Sequence, residues 1–145
     1  MNFQNYYKLP LDLGSITAKK ILPKCNQKES IAHHLHLILT TSFGELLSDV
    51  QYGSSLWDED FDNVSYRNKQ KENILRSIAS TIAKYESRIE KVKVEMNVMQ
   101  EEVPDRSTDP RMKRKLDFVI TAVMVATNEN IVYRDSFFVS PLAYN

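Results

Sequence analysis

From Asn26 onward the apolar positions of this chain fall into two successive rhythms, first helical and then extended. Asn26 and Glu29 stand three apart, the spacing at which a capping side chain and the N3 carboxylate satisfy each other's backbone amides. Ile31, Leu35, Ile38 and Leu39 then repeat with the 3.6-residue period of a buried stripe. Gly44 offers a left-handed stop, so the spacing predicts a helix over 27–43. A connection over 45–65 follows, and a second helix carries Ile74, Ile78, Ile82 and Tyr85 on one face with Lys and Arg on the other, ending near Tyr85. Beyond Arg88 the period becomes two: Val92, Val94, Met96 and Val98 alternate with Lys91, Lys93, Glu95 and Asn97, the mark of a strand with one wet face. Residues 116–127 are apolar on both faces, as in a central strand, and Asn128-Glu129-Asn130 turns them back into a third strand over 131–139. Between the first two strands, residues 100–115 hold Pro104, Pro110 and nine charged residues, so a mobile loop is expected there. Residues 1–25, broken by Pro10, Gly14 and Pro23, read as irregular chain with one short extended piece. The pattern predicts an α+β domain: two main helices followed by a three-stranded antiparallel meander.

Composition narrows the function. At 145 residues the chain is expected to be a single domain. Nineteen basic residues balance nineteen acidic ones, which argues against general attraction to nucleic acid or anionic lipid. Three isolated glycines, Gly14, Gly44 and Gly53, cannot build a glycine-rich phosphate cradle. Cys25 is the one cysteine, so no internal disulfide forms, in keeping with a reducing compartment. The longest stretches without Asp, Glu, Lys or Arg are 30–44 and 118–128, too short to cross a bilayer. The expectation is a soluble, cytoplasmic protein with no direct membrane insertion.

Several constellations hint at chemistry, and most have a plainer explanation. Asp58, Asp60 and Asp62 occupy alternate positions of a possible calcium loop, but Asn63 and Lys69 stand where its glycine and glutamate belong; a solvated acidic turn is expected. His33 and His36 share a helix face at the i, i+3 spacing with Cys25 nearby, yet no zinc motif accompanies them. His34, beside the apolar stripe, is expected to be a half-buried packing residue. The basic run Arg111, Lys113, Arg114 and Lys115 is diluted by Asp105, Asp109 and Asp117. No catalytic, cofactor or metal site is expected. The remaining feature is Glu86-Ser87-Arg88, a carboxylate and a guanidinium flanking the turn from helix to strand.

Taken in order, these segments resemble one family. Leu35 to Glu45 resembles the "LLxTxxGE" helix end of the tail-baseplate wedge family called GPW or TssE-like, once labelled lysozyme-like. Tyr52-Gly53 followed by Leu56 is similar to its "YG…L" segment, and Ile78 to Val92 to its "I…I…YEPRI…V" signature. Leu9-Pro10 and Gly14 fit its opening. Ser87 replaces the family's proline, giving up a preset backbone angle.

The resemblance implies a structural component of a contractile injection machine, in particular the type VI secretion baseplate at the cytoplasmic face of the inner membrane. Its implied partners are two larger wedge subunits (TssF- and TssG-like) and sheath subunits, whose assembly it would help to start by offering strand edges. Glu86, Arg88, Glu45, Tyr52 and Gly53 are then the expected contact residues, with the Glu86–Arg88 pair buried on assembly. The old label suggests an alternative, a peptidoglycan-cleaving enzyme with Glu45 or Glu86 as acid and an Asp of 58–62 as its partner. Arg88 beside Glu86 favours the ionised carboxylate and works against that role.

Overall fold

A computed structural model describes residues 6–58, 68–103 and 111–139. The α+β class holds, with more elements than the periodicity predicts. A two-stranded antiparallel ribbon, β1 (Tyr6–Tyr7) and β2 (Lys24–Cys25), frames a short helix α1 (Leu13–Thr17). Then come α2 (Gln27–Thr40), a 3-10 turn (Leu56–Asp58), α3 (Asn68–Tyr85), and the strands β3 (Ile89–Val103), β4 (Arg111–Met124) and β5 (Asn130–Val139). The three strands pair in the order β3-β4-β5, antiparallel throughout. Over 6–25 the chain is largely outside regular elements, as expected, with two short extended pieces rather than one and a short helix that the pattern does not predict.

Helix α2 starts where the sequence says, because the capping box closes in both directions: Asn26 Oδ1 accepts from Glu29 N at 2.9 Å and Glu29 Oε2 from Asn26 N at 3.1 Å. It stops three residues short of the expected end. The terminal carbonyls are taken from outside the helix: Ser54 Oγ and Trp57 Nε1 both donate to Leu39 O, and Ser54 N donates to Thr41 O at 2.8 Å. With these acceptors filled, Thr41 turns extended, and Gly44 uses its positive φ of +82° in the turn beyond.

One apolar core joins the layers. Ile31, Leu35, Ile38 and Leu39 of α2 and Ile74, Ile78 and Ile82 of α3 cover the sheet face that presents Val94, Met96, Leu116, Phe118, Ile120 and Ala122. Ile89 and Val94 both point into this core although they differ in parity. A bulge between Glu90 and Lys93, with Lys91 at φ 54°, inserts the residue that reconciles them. The alternation expected from 92 to 98 accordingly buries Val94 and Met96, while Val98 is exposed.

The expected loop over 100–115 is a correction. β3 runs to Val103 and β4 begins at Arg111, with Gln100 paired to Arg114 and Glu101 to Lys113. The ladder satisfies the backbone of these residues, and one acidic position, Glu101, stands opposite a basic one, Lys113. Only residues 104–110 of that stretch lie outside the described residues.

Candidate functional site

The corner between α3 and β3 is built around one carboxylate. Glu86 follows the last residue of α3 and its amide still donates to Ile82 O at 2.8 Å, so the side chain is fixed by the helix and turned inward. It is 2% exposed. Arg88 folds back across the turn in a fork: Nε donates to Oε1 and NH2 to Oε2, both at 2.8 Å, while Arg88 N also donates to Oε1 at 3.1 Å. His34 of α2 approaches Oε2 to 2.7 Å through Nδ1. An ionised carboxylate only accepts, so His34 carries its proton on Nδ1. Arg88 NH1 reaches Ser30 Oγ at 2.9 Å, and the guanidinium lies 5.0 Å from the centroid of Tyr6. The site thus ties α2, α3, β3 and the N-terminal ribbon together.

Burial pushes the Glu86 carboxyl up, but the hydrogen bonds from Arg88 and His34, with the Arg88 charge, outweigh it and hold the group down at about 2. That balance decides the chemistry. A general acid at neutral pH needs the opposite environment, and here every acceptor direction of the carboxylate is used.

Of the other expected contact residues, the structure brings Tyr52 to this site and gives Gly53 and Glu45 different tasks. The Tyr52 ring stacks on His34 at 6.0 Å and meets Tyr85 edge-on at 5.0 Å. Gly53 lets the connection press onto the end of α2: at φ +121°, a Cβ would lie 2.4 Å from Thr41 O. Glu45 braces its own turn, accepting from Ser42 N at 2.9 Å, on the exposed side of the loop. Of the pair expected to be buried on assembly, Glu86 is already buried in the single chain and Arg88 is half-buried.

The three histidines diverge. His33 Nδ1 accepts from Leu9 N at 3.4 Å, His34 serves Glu86, and His36 meets Asp135 on β5, which also accepts from Tyr133. Among the described residues no cluster of His, Cys, Asp and Glu has the makings of a metal site. Asp60 and Asp62 and the side chain of Asp58 lie outside the described residues, as do the side chains of Arg111, Lys113 and Arg114. Cys25 is fully buried, and burial pushes its thiol up, away from a nucleophile's range. Sequence reasoning missed Ser30 and Tyr6 and gave His34 a packing role; Ser30 and His34 sit four apart on α2, a same-face spacing that was visible.

The described residues thus form a small α+β domain whose most buried ionic group is locked by its own chain, with both outer strands of the three-stranded sheet lacking a partner strand among the described residues. The chain is a member of the baseplate wedge protein gp25 family, which matches it over residues 25–129. No curated protein matches the sequence. Among solved structures it is similar to a Geobacter sulfurreducens protein named a tail lysozyme, at 18% identity and TM-score 0.56, covering 82% of this chain and 96% of that one. It is also similar to a chain of the baseplate complex from the type VI secretion system, at 15% identity and TM-score 0.51, covering 77% and 92%. At these identities the likeness is one of fold. No described helix is long and apolar enough to cross a membrane.

Proposed function

We propose that this chain is a non-catalytic wedge component of a contractile injection baseplate of the type VI secretion kind, held between larger wedge subunits and presenting a sheet border to the first sheath subunits. The observation that carries this reading is the Glu86–Arg88 clasp inside the family-matched segment: with His34 and Ser30 it ties both long helices to the start of the sheet, as a part fitted into neighbours requires. Strand borders supply the second element, since an edge offers unpaired N–H and C=O groups to an added strand. Tyr52, Gly53 and Glu45 shape the adjoining loop, and Arg88, with 23% of its side chain exposed, is the member of the pair within a partner's reach. The assembly would form in the cytoplasm.

Co-expression with the wedge and sheath proteins of the same particle, followed by affinity recovery of this chain, tests the reading. Wild type is expected to bring wedge subunits with it, and Arg88→Lys, which keeps the charge but loses the planar fork, to recover several-fold less. A chain that always elutes alone would refute it. The enzyme alternative, with Glu45 or Glu86 as acid, is expected to fail: purified protein should leave peptidoglycan turbidity unchanged, and clearing abolished by Glu86→Gln would reverse the conclusion.

A further inference from the structure

Three of the five N–H groups of the Arg88 guanidinium are bonded within the corner, Nε and Nη2 to Glu86 and Nη1 to Ser30. Its central carbon stands over the Tyr6 ring, 5.0 Å from the centroid. Tyr6 belongs to a segment with little to hold it. Of residues 6–25 only Cys25 is buried, β1 pairs with β2 over two residues, and Leu13 and Ile21 stand 68% and 90% exposed. Segments with few buried apolar contacts open well below the free energy of global unfolding. The family match begins at residue 25, so the cover lies outside the part this chain shares with the family profile.

From this we infer that β1 is a latch: Tyr6 covers Arg88 in the free chain and is displaced when a wedge partner places an aromatic side chain there. A ring is the matching chemistry because the place it takes is one that an aromatic ring, Tyr6, already fills against the cation. The inference rests on the baseplate reading for the partner's identity, while the latch itself is a property of the chain alone. Cys25 reports on it. Its backbone pairs with Tyr6, its Sγ donates to Tyr7 O at 3.5 Å, and it is the sole cysteine. Lifting β1 therefore uncovers the thiol.

Alkylation of Cys25 by iodoacetamide in the full-length protein tests the latch. Tyr6→Ala is expected to label ~5–10-fold faster than wild type, as loss of a cation–π anchor implies, at a rate insensitive to low urea. Tyr6→Phe keeps the ring and loses only the hydroxyl that also reaches Arg88, so it should label more slowly than Tyr6→Ala. In the co-expression experiment above, Tyr6→Ala should recover more wedge partner than wild type. Equal labelling of Tyr6→Ala and wild type, a Tyr6→Ala rate that climbs with urea from the lowest concentrations, or reduced partner recovery by Tyr6→Ala would each overturn the inference. If no variant recovers a partner, the baseplate reading falls and the labelling rates still decide whether β1 is a latch.

Discussion

Arg88→Ala is expected to destabilise the fold by roughly 3–5 kcal/mol, the range for stripping one partner from a buried ion pair. The cost arises from what stays behind. Glu86, at 2% exposure, would keep His34 and the backbone amide of residue 88 but lose both donors of the fork and the charge they carry. Glu86→Ala should cost less, because Arg88 is 23% exposed and its long stem can carry the charge outward. The double variant should cost less than the two singles summed, since the second change removes a charge the first left stranded. Urea unfolding at pH 7 measures all three. Equal costs for the two singles would show that burial of Glu86 is not what sets the penalty.

The same pair fixes an acid limb. Glu86 is held at about 2 in the folded chain against an ordinary 4.5, so between those values the unfolded chain binds a proton that the folded chain does not. Its contribution is therefore fully present above pH 4.5 and is lost as pH falls toward 2. Linkage puts the size at about 3 kcal/mol. Glu86→Gln should flatten that limb, and an unchanged profile would mean that other carboxylates control acid unfolding.

How much of this was visible in the sequence depends on whether the cause is local. The capping box of Asn26 and Glu29 and the stripes of α2 and α3 are settled by neighbours three or four residues apart, and they lie where the pattern puts them. The end of α2 is not local: Ser54 and Trp57, fifteen and eighteen residues away, fill Leu39 O and decide it. The charged stretch 100–115 reads as loop because a ladder is invisible from one strand; Glu101 becomes sensible only opposite Lys113. For the site, residue types announced Glu86 and Arg88 as a pair, but not which way they face. Inward orientation follows from α3 delivering Glu86 beneath α2, where His34 and Ser30 wait. Of this pair, the part left for a partner to cover is Arg88, 23% exposed.

Gly53→Ala should be the other severe change, at about 3 kcal/mol and a fall in Tm of roughly 10 °C, the sum of a strained left-handed backbone and a close approach. Its φ of +121° disfavours any L side chain, and the added Cβ would sit 2.4 Å from Thr41 O and 3.1 Å from the Ser42 carbonyl carbon, atoms of the main chain that cannot rotate aside. The loop must then lift off the end of α2, and Ser54 N loses Thr41 O. Gly44→Ala is the matched control: its φ of +82° is also positive, yet a Cβ there meets nothing within 4 Å, so strain acts alone and ~1 kcal/mol is expected. Thermal unfolding of the two variants separates the causes, and equal losses would refute the close-approach argument. The effect should also travel. Tyr52 precedes Gly53 and stacks on His34, which holds Glu86, so a lifted loop removes the ring that keeps the imidazole aimed. Hydrogen exchange at the Glu86–Arg88 turn should consequently quicken in Gly53→Ala and stay unchanged in Gly44→Ala.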